Sequence, residues 1–329
     1  MTATPPTRWG LTVPFTGVSL AEHPELYRRA EALGYDDLWS GETPNGPDGF
    51  TTLSLAIPVT ERVRLATGIV NPFTRGPAVL AQTAAAMQEA SGGRFALGLG
   101  ASSNVIVERF NGLEFTRPLS AVREAVSRLR PVLSVPAEKG YGGLRLERPV
   151  TAPVPIVLAA LRARMLGLAG EIADGAFTNF LPISGLPQVR AAHRAGEAAA
   201  GRPEGETELV CRFFILPGDP SDPTPAATAR TMFSAYGSVP VYAEFFRWLG
   251  WGERLDPMVA AYEAGDRRRA LELAPAELVS EIFLFGSLDE IRDRLRAFTE
   301  GGITTAVLTP ICPPEAVGEV IEALAPGRS

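Results

Sequence analysis

The sequence predicts an α/β fold, a closed (β/α)8 TIM barrel, on three observations. Short, apolar, β-branched runs alternate with longer stretches of helical period; eight such strand–helix units can be counted; and glycines stand just past four of the helices. An open doubly wound sheet usually has about five or six strands, so eight units favour closure. In order, the first strand is expected at 9–15, followed by a helix at 23–33 that opens on His23-Pro24 and stops at Gly34. The second pair is 37–42 and 50–59, the third 63–70 and 78–90, with Gly92-Gly93 as its stop. Strand 95–100 precedes helix 119–133, and strand 155–161 precedes helix 164–173. Strand 175–181 leads to helix 186–200, closed by Gly201. Strands 209–216 and 304–309 and helices 288–299 and 314–324 complete the eight units, and Gly301-Gly302 ends the seventh helix. All eight helices carry apolar residues three and four positions apart, the pattern of a helix lying on a sheet.

The 329 residues exceed the usual barrel length of about 250 by about 80. The surplus falls at 101–117, 135–153 and 217–286, read as insertions in one domain spanning 1–329. The longest begins with the proline-rich run Pro217 to Pro225 and continues through helical segments around 226–250 and 257–273. It is an excursion, not a second domain, since the last strand–helix unit lies beyond it.

Composition narrows the function. With 46% hydrophobic and 21% charged residues, the chain is an ordinary globular one. The charge balance, 31 − 37 = −6, gives no positive field for a polyanion, so no nucleic-acid partner is expected. Lys139 is the single lysine, which argues against Schiff-base chemistry. Cys211, Cys312, His23 and His193 lack metal-ligand spacing, so no metal is expected; both thiols sit in apolar runs and read as buried and reduced. His193 in an outer-face helix context and His23 at a helix start read as structural. The opening residues lack the apolar stretch of a signal peptide and no segment reaches the ~20 apolar residues of a membrane span. A cytoplasmic protein without a membrane partner is the expectation.

Barrel active sites lie at the C-terminal strand ends, here 14–16, 40–43, 68–71, 100–103, 159–161, 179–180 and 309–310. One glutamate, small residues and hydroxyls suit a pocket for a flat, mostly apolar ligand whose own chemistry does the work. The run from Arg94 to Ser103 superficially matches a dinucleotide fingerprint, but Ser103 replaces the third glycine and no helix opens at once. Its hydroxyls, Ser102 and Ser103, suit a phosphate or a ring edge. A second anion candidate is the helix start at Leu161, Arg162, Ala163 and Arg164. Glu42 and Glu108 are the candidate proton-handling or orienting carboxylates, with ion pairs to Arg75 or Arg109 as the alternative for either.

Five segments in order, HPELYRRAEALGYDDLWSGE at 23–42, ATGIVNPFTRGP at 66–77, SGGRFALGLG at 91–100, ASSNVIVERFNG at 101–112 and MLGLAGEIADG at 165–175, carry a family likeness. The chain resembles the bacterial luciferase-like monooxygenase superfamily, and most closely its coenzyme F420-dependent oxidoreductases. The resemblance implies a barrel with a long insertion before the last units, a homodimer, and a small-molecule substrate. It implies cofactor contacts at Gly68, Ile69, Val70, Asn71, Ala101, Ser102, Ser103, Ala160, Leu161, Arg162, Ala163 and Arg164. It also implies a cis peptide between Gly68 and Ile69. Two departures stand out: Arg162-Ala163 where many relatives have Gly-Pro, and Thr43 where relatives often have histidine. The implied activity is hydride transfer between deazaflavin C5 and an organic substrate. An FMN-dependent monooxygenase and a cofactor-binding barrel without turnover are the alternatives.

Overall fold

The computed structural model describes residues 7–43, 46–219 and 221–326. Nine strands form among them: β1 (Arg8–Val13), β2 (Asp37–Ser40), β3 (Arg64–Thr67), β4 (Phe95–Leu99), β5 (Ile156–Ala159), β6 (Gly175–Asn179), β7 (Glu208–Pro217), β8 (Phe283–Gly286) and β9 (Thr305–Pro310). β1 through β7 pair in succession, and β9 joins β7 to β1, which closes an eight-stranded parallel barrel. The expected α/β fold class is the observed one.

β8 adds a ninth strand to the eight expected, within the stretch 217–286 read as an insertion. β7 is ten residues long, and β6 pairs with it only as far as Arg212. The exposed upper edge of β7, from Phe214 to Pro217, is covered by Phe283 to Gly286. No turn residue separates Phe283 from the apolar positions of the helical segment before it, Leu278, Val279 and Ile282, so the sequence shows no strand boundary there.

Six helices cover the first six barrel strands: α1 (His23–Ala32), α2 (Gly49–Ser54), α3 (Pro77–Ala90), α4 (Pro118–Leu129), α5 (Ala163–Ile172) and α6 (Leu186–Ala199). The long excursion then folds as α7 (Thr224–Tyr236), α8 (Pro240–Trp248), α9 (Gly252–Glu263), α10 (Arg267–Leu273) and α11 (Ala276–Ile282). α12 (Leu288–Glu300) and α13 (Val317–Ala323) finish the ring. The expected helix at 50–59 breaks into α2 and a 3-10 turn at Ile57–Val59, where Pro58 has no N–H to continue the ladder. The one at 119–133 stops at Leu129, two residues before Pro131. The expected strand at 63–70 ends at Thr67, and the peptide after it, Gly68–Ile69, is cis.

Inward and outward positions alternate along each strand. Leu38, Leu65, Leu97, Leu158 and Leu308 face out, where they form one core with the helices. Trp39, Ala66, Ala96, Val157, Phe177, Val210 and Val307 fill the middle of the barrel as a separate inner cluster. Trp39 and Phe177 stack across it with centroids 5.1 Å apart. The N-terminal end is plugged by charge. Asp37, fully buried, accepts hydrogen bonds from Arg8 and Arg64, and Arg64 also donates to both carboxylate oxygens of Glu208.

Both histidines are structural, as expected, though His193 is buried between α6 and the lead into β7 rather than on an outer face. Its Nε2 lies 3.0 Å from the Thr207 hydroxyl. His23 accepts from the Phe15 N–H through Nε2, so Nδ1 carries the proton it shares with the Ser19 carbonyl at 2.8 Å. Burial lowers its pKa and keeps the ring neutral. Both cysteines are free; Cys211 is buried as expected, while Cys312 is only half-buried.

Candidate functional site

The next inward layer, at the C-terminal mouth, is divided. Strands β2 to β5 and the residues just past them present Gly41, Gly68, Gly98, Gly100 and Ala159, so this wall has almost no side chains. The Cβ positions of Gly41 and Gly98 are taken by neighbouring backbone, so the wall itself is backbone. A Cβ on Gly98 would stand 1.7 Å from the Thr67 carbonyl oxygen, and one on Gly41 2.3 Å from that of Gly68. The opposite wall is polar. Thr12 of β1 and Thr309 of β9 share a 2.7 Å hydrogen bond, Asn179 of β6 donates to the Tyr242 hydroxyl, and Arg212 of β7 reaches across to the Gly68 carbonyl.

Beside this mouth lies a cleft of about 450 Å³, lined in part by Glu42, Asp48, Asn71, Arg75, Ile106 and Phe110. Glu42 is anchored in two ways. Its N–H donates to the Ile69 carbonyl at 2.9 Å, and its Oε1 accepts from Arg75 Nε at 2.7 Å. Arg75 also pairs with Asp48 and covers the Phe50 ring. Burial raises the Glu42 pKa above the ordinary glutamate value, against the pull of Arg75. The Arg75 alternative is thus realised for Glu42, and Oε2 meets no donor among the described residues. Glu108 is exposed on the one-turn helix Val105–Phe110 and is not part of the cleft lining.

The expected cofactor contacts lie just past β3, β4 and β5, and among them Gly68 belongs to the bare wall. Gly68, Ile69 and Val70 follow β3, and Val70 is buried, bridged to Leu99 of β4. Asn71 is buried too, but its Oδ1 accepts from the N–H groups of Phe73 and Thr74, which makes it the pivot of its own turn. Ala101, Ser102 and Ser103 follow β4 and are half-buried; Ser102 has a left-handed φ of 64°. Ala160 to Arg164 follow the neighbouring strand β5. Ala160 is buried, while Arg162, Ala163 and Arg164 are exposed at the start of α5, with Arg162 as its N-cap and paired with Glu244. The two hydroxyls and the free N–H groups of α5 therefore rise from adjacent strands.

Sequence reading missed Arg212. Its signal was present: it is the one charged residue between Leu209 and Leu216, at an inward parity. Its Nε is buried without a partner, its guanidinium lies 5.2 Å from the Phe177 ring centroid, and no carboxylate pairs with it among the described residues. Burial lowers its pKa, with Tyr242, Tyr236 and Cys211 opposing.

The aromatics of the long excursion anchor it to the barrel. Phe180, just past β6, stacks on Phe214 at 4.6 Å and meets Tyr236, Tyr242 and Phe283 within 6 Å. A larger groove of about 580 Å³ lies between α6 and α12, and its lining, which includes Leu186, Arg190 and Arg194, holds no acid, nucleophile or general base. Among the described residues, no group of three metal-ligating side chains occurs and no helix is long and apolar enough to cross a membrane.

The architecture has wide precedent. The family described as luciferase-like monooxygenase matches residues 4–305. A Mycobacterium tuberculosis protein named "Putative coenzyme F420-dependent oxidoreductase Rv3520c" is 27% identical over 331 residues, covering 92% of each chain. The 5,10-methylenetetrahydromethanopterin reductase of Methanolobus tindarius is 27% identical over 300 residues, covering 86% of this chain and 89% of its own. In three dimensions, the coenzyme F420-dependent tetrahydromethanopterin reductase of Methanopyrus kandleri superposes with a TM-score of 0.78 at 22% identity over 98% of both chains. With a match over nearly its whole length and the closed parallel barrel to go with it, the chain belongs to the luciferase-like monooxygenase family and is an oxidoreductase.

Proposed function

We propose that this chain is an F420-dependent oxidoreductase that works on a small organic substrate at the barrel mouth. The observation that carries the reading is the divided mouth, a wall of glycines and Ala159 facing a wall of Thr12, Asn179, Arg212 and Thr309. A wall without side chains would let a flat ring lie against backbone, and the hydroxyl, amide and guanidinium groups opposite would orient a substrate. Full-length similarity to proteins named for F420 supports the choice of ring. Gly68, Ile69 and Val70 would hold the ring face; Ser102, Ser103 and the N–H groups at the start of α5 would hold its phosphate. Bound F420 would supply two-electron hydride chemistry at C5. The same reading has the chain acting in the cytoplasm as a homodimer, with neither nucleic acid nor membrane as partner.

Spectral titration of the purified chain is expected to give a dissociation constant at least about tenfold lower for F420 than for FMN. Tighter FMN binding would instead make it an FMN-dependent monooxygenase, and binding without turnover over a panel of alcohols, enones and imines would leave a cofactor carrier. Light scattering on the same sample reads the dimer.

Glu42 is placed to orient substrate or take its proton. Glu42→Gln is expected to lower kcat by about 10- to 100-fold while cofactor affinity stays within about threefold. Because burial raises the Glu42 pKa, the carboxylate is lost as pH falls through a value above the ordinary ~4.3. Wild-type turnover should therefore show an acid limb above that value, and the variant should lack it. Glu108→Gln should change kcat by less than about threefold, since its side chain is exposed outside the cleft lining. An unchanged kcat and an unchanged acid limb in Glu42→Gln would reduce Glu42 to an ion-pair partner of Arg75.

A further inference from the structure

Two of the arginines inside the barrel are treated in opposite ways. Arg64, at the N-terminal end, is satisfied by Asp37 and Glu208. Arg212, at the mouth, has one hydrogen bond, to the Gly68 carbonyl, and an orphaned Nε. Arg94, which also lacks a carboxylate, is satisfied by carbonyls instead, donating to those of Thr60, Val63 and Ser91. An uncompensated interior cation is costly, and an apolar side chain over Phe177 would fill the same space at lower cost. The cost is recovered only if an anion arrives. Arg212 keeps part of its surface accessible, and the residue it grips, Gly68, belongs to the segment assigned above to the ring.

We infer that Arg212 is the fixed counter-charge for the reduced, anionic form of the bound ring, so that the chain binds the reduced cofactor more tightly than the oxidised one. The inference rests on the proposed cofactor site. F420 bound here would take a hydride, two electrons and one proton, from a substrate whose remaining proton would pass to Glu42 or solvent, and it would then carry one more negative charge than its oxidised form unless it also took a proton at N1. A guanidinium in a low-dielectric mouth favours the unprotonated anion. Tyr236 and Tyr242 are the titratable groups beside Arg212, and Cys211 precedes it on the outer face of β7; burial holds Tyr242 and Cys211 in their neutral forms, so neither cancels its charge.

The test is anaerobic titration of wild type, Arg212→Gln and Arg212→Lys with oxidised and with reduced F420, each followed by absorbance. Wild type should prefer the reduced form by at least about tenfold. Arg212→Gln should bring the two affinities within about threefold of each other, chiefly by weakening the reduced form, and Arg212→Lys should recover part of the preference. An unchanged ratio in Arg212→Gln, or equal weakening of both forms, overturns the inference and leaves the guanidinium to a substrate anion. Should Arg212→Gln not fold, the wild type decides alone: N1 of the bound reduced ring should protonate at lower pH than in the free ring, and coincident titrations overturn the inference. Failure of the wild type to bind either F420 or FMN would count against the cofactor site itself, a result the ratio does not read.

Discussion

Asp37→Ala is expected to lower the unfolding free energy by about 3–5 kcal/mol. Asp37 is fully buried and its two oxygens serve both Arg8 and Arg64, at 2.6 to 3.2 Å. Its loss would leave two guanidinium groups facing each other inside the barrel, with Glu208 able to answer only Arg64. Burial pulls the Arg64 pKa down, and Asp37 and Glu208 more than reverse it. Asp37→Asn keeps the shape and an acceptor but not the charge, and should lose about 2 kcal/mol. Urea unfolding measures both, as a shift in midpoint at constant slope. A loss below about 1 kcal/mol in Asp37→Ala would mean that water reaches this end of the barrel and replaces the carboxylate.

Gly98→Ala should cost about 3 kcal/mol, the upper end for overpacking, and should weaken cofactor binding as well. The added methyl would meet the Thr67 carbonyl oxygen at 1.7 Å. That carbonyl cannot yield easily. Thr67 Oγ1 donates to the Gly98 carbonyl and accepts from the Gly98 N–H, both at 2.8 Å, so β3 and β4 are locked together at this point. Gly167→Ala, in the middle of α5, is the matched control. Its methyl would meet only the Ala192 carbonyl, at 3.8 Å, and helix propensity predicts a gain of about 0.5–1 kcal/mol. One substitution type is thus expected to have opposite signs at two sites. Equal effects at Gly98 and Gly167 in thermal or urea unfolding would show that the wall of glycines is not close-packed.

Most of the fold was legible because a barrel repeats one unit. Each strand is an apolar run and each outer helix has its own 3.6-residue stripe, so local period was enough to place eight strands and eight helices. The errors fell where local pattern carries no information. Prolines cut two helices short, at Pro58 and Pro131, and β8 exists only because β7 outruns β6. Glu42 was legible as a mouth residue because it follows an apolar strand immediately. Its partner was not, since Arg75 lies 33 residues away.

By itself, the sequence determined the α/β class, the closed barrel, the strand ends where the site would lie and the small residues that form one wall of it. These follow from composition and period, which are properties of neighbouring residues. Only the tertiary structure decided which residues face each other across the barrel: Asp37 with Arg64 and Glu208 at one end, Arg212 with Gly68 at the other. Arg64 and Glu208, like Gly68 and Arg212, are 144 residues apart in the chain, and each contact forms only when eight strands close with one shear. Whether a buried charge is answered or left waiting depends on that closure, and no local pattern encodes it.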